Sequence, residues 1–262
     1  MEEKAIKAIK VNSKYFFSYV RSKAKIKSKI GPLLNKDGKL TNNNQEMTEI
    51  LSNQYTKVFS KPSNETNTSE NHQQNANLKS FLSNIEINEE DFHEAITSLS
   101  TNAAAGPDGF PAILLKNCKE NLAKPLTLLW RKTQSDGIVP DKLKTMLITP
   151  IHKGVSKSIA ANYRPIALTS HLIKLFEKIL RKHIILHMNS NNLFNDSQHG
   201  FRSGRSCLSQ LLEHFDTVLS ILDDEMNADD VYLDFAKAFD KVDHNIVLRK
   251  ISNFGICDNV FQ

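Results

Sequence analysis

The feature that most restricts how this chain can fold is a long polar stretch in its first third. Residues 61–77 read KPSNETNTSENHQQNAN and contain no large apolar side chain. Such a segment buries too little apolar surface to offset the entropy that is lost when it is ordered. We therefore expect a flexible linker over residues 61–84, which separates an upstream segment, residues 1–60, from a larger folded region, residues 85–262.

The upstream segment begins with a strongly basic region. Between Met1 and Ile30 there are nine lysines or arginines and two glutamates. This charge would attract a phosphate backbone, but a solvated basic tail has the same composition, so both interpretations remain open. Further along, the Asp-Gly pair within residues 33–40 favours a turn or hairpin, and residues 46–59 have the apolar spacing of a helix.

The sequence also excludes some classes of protein. It has no run of the ~18 apolar residues that a membrane span needs, and its amino terminus lacks the apolar core and cleavage site of a secretory signal. We therefore expect a protein of the nucleus, the cytoplasm or both, with no membrane partner. Three widely separated cysteines form no zinc-binding pair. The oligomeric state has no signal in the sequence.

Beyond the linker, helix and strand patterns follow one another closely. Apolar spacing and capping residues predict a series of helices, over residues 88–99, 122–130, 171–188, 206–222 and 243–254. Residues 146–151 and 162–168 are typical of two strands in an antiparallel hairpin, and the β-prone run 231–235 predicts a third strand. The expected fold class is α+β.

The segment YLDFAKAFDKVDH, residues 232–244, is the most informative about chemistry. Taken alone, it is an apolar strand that ends at a carboxylate, Asp234, followed by a tight stretch that returns an aromatic side chain, Phe239, towards that carboxylate. A single aspartate at a strand end is most often a turn or capping residue. This peptide by itself therefore assigns no function.

Several separated motifs together resemble the reverse transcriptases of LINE-type (non-LTR) retrotransposons, in particular the jockey-like branch. In chain order they are GPDGFP from Gly106, PIHKG from Pro150, NYRPIALTS from Asn162, QHGFRSGRS from Gln198 and YLDFAKAFDKVDH from Tyr232. The resemblance implies a right-hand polymerase, with its fingers and the start of its palm domain in residues 85–262. It also implies an RNA template, a DNA primer and deoxynucleoside triphosphates as partners.

The resemblance further implies a metal site and a nucleotide site. Asp234, together with the backbone carbonyl of Phe235, would hold Mg²⁺ as one part of a two-metal centre. Lys153 and Arg164 would bind the triphosphate of the incoming nucleotide, which suits both the point charge of lysine and the planar fork of arginine.

Other implied roles concern the sugar and the nucleic acid. The bulky ring of Phe239 would exclude a ribose 2′-hydroxyl, and Ala238 would form the floor of the sugar pocket. Arg202 and Arg205 would contact template or nucleotide phosphates. Both arginines lie just before a predicted helix, so a role at the helix start remains open for them.

A second catalytic motif of the family, aromatic-x-Asp-Asp, supplies the remaining metal ligands. No such pair follows Asp234, so the chain is expected to end before this motif and before the thumb. A permuted order that uses Asp223 and Asp224 is disfavoured, because these acids end an amphipathic helix. We expect an RNA-directed DNA polymerase that is inactive as this chain alone. The alternative is a non-catalytic RNA- or DNA-binding remnant or the product of a pseudogene.

Overall fold

The computed structural model describes residues 30–59 and 78–260. Most of the basic amino-terminal region and the polar stretch 61–77 lie outside these residues, so the linker stays a prediction. The chain divides into two compact units. Among the described residues, the first contains 30–54 and 150–165, and the second contains 55–59, 78–149 and 166–260.

Helices predominate among the described elements. In chain order, the α-helices and β-strands are β1 (Leu33–Leu34), β2 (Leu40–Thr41), α1 (Asn44–Val58), α2 (Glu89–Thr97), α3 (Ala112–Asn117), α4 (Lys119–Asp136), α5 (Asp141–Lys144), β3 (Met146–His152), β4 (Tyr163–Thr169), α6 (His171–Ser190), α7 (Cys207–Asp223) and α8 (His244–Asn253). The mixture of helix and strand agrees with the predicted class. The predicted helices are confirmed, with their ends shifted by a few residues.

A small hairpin begins the described part of the first unit. β1 and β2 pair antiparallel around a turn in which Gly38 has a φ of 74°, as the Asp-Gly pair predicted. Thr41 Oγ1 and Asn35 Nδ2 both donate to the carboxylate of Glu46 in α1, at 2.6 and 3.1 Å. These two hydrogen bonds lower the pKa of Glu46 and join the hairpin to the helix.

A second hairpin is formed by β3 and β4, which make a two-stranded sheet. The backbone N–H of Lys153 donates to the carbonyl of Asn162 at 2.6 Å. Because Lys153 directly follows β3 and Asn162 directly precedes β4, this bond shows that the strands run antiparallel. The predicted hairpin is therefore confirmed.

The core of the second unit lies between α2, α4 and α6. Trp130 is at its centre, with its ring centroid 5.7 Å from that of Phe92 and 6.1 Å from that of Phe176. Each helix buries the apolar stripe that its spacing predicted. Burying aromatic side chains of this size stabilises the unit by about 1.5–3 kcal/mol each. None of the described helices is both long and apolar enough to cross a membrane.

α7 contrasts with these core helices. It starts with a capping box at Ser206, but none of its residues is buried, so its apolar stripe is exposed. Asp223 and Asp224 lie at its end, as expected of a charged helix end. α8 begins at Asp243, whose Oδ1 accepts from two backbone N–H groups, and stops before Gly255, which has a φ of 77°.

The strand predicted over residues 231–235 is wrong. Residues 226–243 contain neither helix nor strand, and no strand lies beside them in the part of the chain that the structure describes. A strand places its backbone hydrogen bonds on a neighbouring segment, so a β-prone run without a neighbour cannot form one. Asp234 therefore lies in an irregular, exposed peptide.

Candidate nucleotide and metal site

The predicted triphosphate ligands Lys153 and Arg164 lie in the first unit, on opposite sides of the hairpin end. The hydrogen bond between Lys153 and Asn162 closes the hairpin there, and Arg164 lies two residues beyond Asn162. Both cationic side chains are exposed. Among the described residues, no carboxylate forms an ion pair with either of them. Two neighbouring cations without internal partners are available to an anionic ligand.

Asp234 and its neighbours lie in the second unit. The side chain of Phe235 is 83% exposed and that of Tyr232 is 80% exposed. A turn follows, in which Lys237 has a φ of 57° and its carbonyl accepts from the backbone N–H of Asp240 at 3.0 Å. Ala238 and Phe239 are both exposed within this turn. The carboxylate of Asp234 and the side chains of Ala238 and Phe239 are thus all exposed to solvent.

The start of this peptide is held to α7 by polar contacts. Tyr232 Oη lies 3.3 Å from His214 Nε2 and donates to Asp230 Oδ2 at 3.3 Å. The Asp230 charge is the main reason why the pKa of Tyr232 is raised. The two polar contacts of the phenol hold one end of the peptide that carries Asp234.

Phe239 also meets another of the family motifs. Its ring packs edge-to-face against that of Phe201 in QHGFRSGRS, with a centroid distance of 5.9 Å and an interplanar angle of 83°. Phe201 has a φ of 63°, a conformation that bulky side chains rarely adopt. Two motifs that are separated in sequence thus meet through exposed aromatic rings.

The arginines of QHGFRSGRS have different surroundings. Arg202 Nη1 donates to the carbonyl of Asn195 at 3.0 Å, and its guanidinium lies 5.0 Å from the ring centroid of Phe194. Arg205 Nη1 is 3.5 Å from the carboxylate of Glu213 in α7. These contacts occupy only part of each guanidinium, so phosphate binding stays a prediction for both residues.

His199 organises this loop, and sequence reasoning missed it. Its side chain is almost fully buried, with Nδ1 at 2.9 Å from Ser209 Oγ and Nε2 at 2.7 Å from Glu213 Oε2. Arg205 Nη1 lies 3.2 Å from the same Nε2 atom. The available signal was the i, i+4 spacing of Ser209 and Glu213, which places both on one face of α7.

A second unrecognised arrangement joins the motifs GPDGFP and NYRPIALTS. Ser170 Oγ donates to Asp108 Oδ2 at 2.5 Å and accepts from the backbone N–H of Leu172, where α6 begins. A Cβ atom at Gly106 would lie only 2.6 Å from the backbone of Thr169 and Ser170. Gly106 is therefore required by close backbone packing, and the motif has a structural role at the start of α6.

The described residues do not fit a complete two-metal centre. Across residues 30–59 and 78–260, no group of three His, Cys, Asp or Glu side chains is placed to hold a metal ion. Two Mg²⁺ ions need several carboxylate oxygens in a compact arrangement, whereas Asp234 contributes one carboxylate. No catalytic step through a metal ion follows from these residues alone.

Comparison with known families finds a match for the carboxy-terminal part of the chain. Residues 151–262 contain the hairpin cations, the loop around His199 and the Asp234 peptide, and they match the family described as "Reverse transcriptase (RNA-dependent DNA polymerase)". This match agrees with the resemblance inferred from the sequence motifs.

Part of the chain is also similar to three proteins of Drosophila melanogaster. The chain is 30% identical over 166 residues to the probable RNA-directed DNA polymerase from transposon BS, and that alignment covers 63% of this chain and 18% of the relative. It is also 30% identical over 152 residues to the probable RNA-directed DNA polymerase from transposon X-element, and this alignment covers 58% of this chain and 17% of the relative. The identity to the RNA-directed DNA polymerase from mobile element jockey is 25% over 162 residues, which cover 62% of this chain and 18% of the relative. The chain spans less than a fifth of each relative.

Proposed function

We propose that this chain contributes the fingers and the first catalytic carboxylate of an RNA-directed DNA polymerase from a jockey-like non-LTR retrotransposon. The observation that carries the proposal is the match of residues 151–262 to reverse transcriptases, since this region holds both the hairpin cations and Asp234. The three transposon polymerases are similar to this chain over 152–166 residues. The substrates would be an RNA template, a DNA primer and deoxynucleoside triphosphates.

We assign two kinds of group to nucleotide binding, and they are described separately because each lies in a different unit. Lys153 and Arg164 would neutralise and orient the triphosphate, and the absence of ion-pair partners among the described residues leaves both side chains available. Phe239 would exclude the 2′-hydroxyl of a ribonucleotide by its bulk, with Ala238 beneath the sugar. The ring of Phe239 packs edge-to-face against that of Phe201, and this contact supports the position of the Phe239 ring.

The proposed metal chemistry is that of Mg²⁺, a divalent metal ion of the kind reverse transcriptases generally use. Asp234 and the Phe235 carbonyl are hard oxygen donors, which Mg²⁺ prefers. Because the described residues provide no cluster of three ligands, we propose that residues 1–262 alone do not extend a primer.

A primer-extension assay tests this proposal. Purified residues 1–262 are incubated with a poly(rA) template, an oligo(dT) primer, dTTP and Mg²⁺, and no extension is expected. If extension is observed, Asp234→Asn is compared with Asp240→Asn, a matched change in the same peptide. Extension that is lost only in Asp234→Asn would show that Asp234 is catalytic and that this chain is active, which contradicts the proposed inactivity.

A second candidate function is non-catalytic binding of RNA or DNA. It is favoured by the nine cations between Met1 and Ile30 and by the hairpin cations without ion-pair partners among the described residues. If about three phosphates are neutralised, affinity for a labelled single-stranded RNA falls about tenfold or more between about 50 and about 200 mM salt. Binding that is insensitive to salt would reject this candidate.

A further inference from the structure

The loop between β3 and β4, residues 153–162, is held by a network of hydrogen bonds. The backbone carbonyl of Ser156 accepts from Asn162 Nδ2 at 2.9 Å and lies 3.2 Å from His152 Nε2. A Cβ atom at Gly154 would lie only 2.8 Å from Asn162 Cγ, so a larger residue at position 154 would displace that side chain. His152 of PIHKG and Asn162 of NYRPIALTS therefore both contact the same carbonyl group in this loop.

Tyr163 connects this loop to the strand that carries Arg164. Its side chain is 5% exposed, and its ring packs edge-on against that of His152 at a centroid distance of 5.2 Å. Its hydroxyl donates to the backbone carbonyl of Lys157 at 2.8 Å. Tyr163 is thus the residue through which the middle of the loop is fastened to the start of β4.

The segment upstream of the family motifs joins the same loop. The backbone N–H of Gly31 donates to Tyr163 Oη at 3.3 Å, and that of Leu34 donates to the carbonyl of Ser158 at 2.9 Å. A Cβ atom at Gly31 would lie 3.1 Å from Lys157 Cβ, which shows how closely the two segments approach. The Tyr163 hydroxyl therefore uses both its donor and its acceptor capacity, one on each segment.

The loop is also uniformly positive. Residues 150–165 contain Lys153, Lys157 and Arg164 and no acidic residue. None of these three cations has an ion-pair partner among the described residues. The hydrogen bonds of the Tyr163 hydroxyl and the Asn162 amide, which involve no charged side chain, hold the loop beside these exposed cations.

We propose that Tyr163 is a positioning residue for the triphosphate site. Through its hydroxyl it ties the upstream segment and the loop together, and so holds Lys153 and Arg164 where both reach one polyphosphate. This inference rests on the proposed function, because it requires that these two cations bind the triphosphate. It adds the upstream residues Gly31 and Leu34 to the parts of the chain on which nucleotide binding depends.

The test is calorimetric titration of the full chain with Mg·dTTP and with inorganic tripolyphosphate in the presence of Mg²⁺. Tyr163→Phe keeps the ring and removes the hydroxyl, and it is expected to weaken both ligands about fivefold, since each lost hydrogen bond has a modest net effect. Lys153→Ala and Arg164→Ala are expected to weaken both by about tenfold or more. The matched control is Thr48→Val, which removes a hydroxyl that donates to Asn44 within α1 and should change neither affinity.

A double-mutant cycle separates positioning from general structural damage. If Tyr163 acts through the hairpin cations, Tyr163→Phe changes affinity less than twofold when Lys153 and Arg164 are already alanine. Additive losses, or an unchanged affinity in Tyr163→Phe while Lys153→Ala weakens binding, would overturn the positioning role and leave the proposed function standing. Wild-type affinity in both cation variants would overturn the triphosphate site itself, and the role of Tyr163 with it.

Discussion

The helical core around Trp130 and the peptide around Asp234 belong to the same unit, yet their side chains have opposite environments. Trp130 is 1% exposed and packs between two other aromatic rings, whereas Phe235 is 83% exposed and Leu233 is 87% exposed. Both regions are rich in apolar residues. Hydrophobicity alone therefore does not decide which of them is buried.

The difference lies in where each region finds its hydrogen bonds and packing partners. A helix satisfies its backbone within a few residues, so α2, α4 and α6 form locally and then bury one stripe each. The run 231–235 has strand composition, and a strand needs a neighbouring strand. The motif GPDGFP is attached to the helical core, while the motif that carries Asp234 is exposed.

The largest expected effect is truncation of an aromatic side chain in the core. Trp130→Ala removes the ring between Phe92 and Phe176 and should lower the free energy of unfolding by about 3–5 kcal/mol. Phe235→Ala is the matched change in the exposed peptide and should alter it by about 0.5 kcal/mol or less. Urea unfolding followed by circular dichroism measures both. Similar losses in the two variants would show that the Asp234 peptide is packed as tightly as the core.

A smaller effect is expected where a motif joins the core. Gly106→Ala places a Cβ atom 2.6 Å from the backbone at Thr169 and Ser170 and should destabilise the chain by about 1–3 kcal/mol. Gly200→Ala is a suitable control, because the nearest atom to a Cβ there is the flexible side chain of Gln198, at 3.5 Å. Equal stability of the two variants would contradict the close packing of GPDGFP against the start of α6.

The smallest expected effect is a pH dependence at the same junction. His171 is fully buried, and burial, followed by the nearby charge of Lys174, lowers its pKa below 6.5 although Asp108 opposes this. As the pH is lowered, His171 is therefore protonated at a higher pH in the unfolded chain than in the folded chain. The contribution of neutral His171 to the free energy of unfolding is therefore largest above pH 6.5 and decreases as the pH falls below that value.

Thermal unfolding between neutral and mildly acidic pH measures this slope. His171→Asn removes the titrating group and should flatten the slope, whatever its effect on stability at neutral pH. A slope as steep as that of the wild type in His171→Asn would assign the pH dependence to other groups and remove His171 as its source.

Local signals in the sequence predicted most of the described elements. The apolar spacing that ends near Met188 predicted α6, Asp243 predicted the cap of α8, and Gly255 predicted its end. The paired hairpin strands were also predicted. Each of these signals acts over a few residues, so no distant contact is needed to interpret it.

Contacts between distant residues were not predictable in the same way. The burial of His199 depends on Ser209 and Glu213 in a separate element, and Gly106 is required by a backbone more than sixty residues away. The strand predicted at 231–235 failed for the same reason, because its existence depends on a partner that composition does not reveal.

The sequence by itself determined where helices and turns form and which motifs resemble those of reverse transcriptases, since both depend on the type and spacing of residues along the chain. Only the tertiary structure decided which surfaces meet. It joined the residue Gly31, just before the upstream hairpin, to Tyr163 at the start of β4 through a hydrogen bond between positions 132 residues apart. It also left Asp234 exposed, because burial depends on which neighbours a segment finds and not on how apolar the segment is.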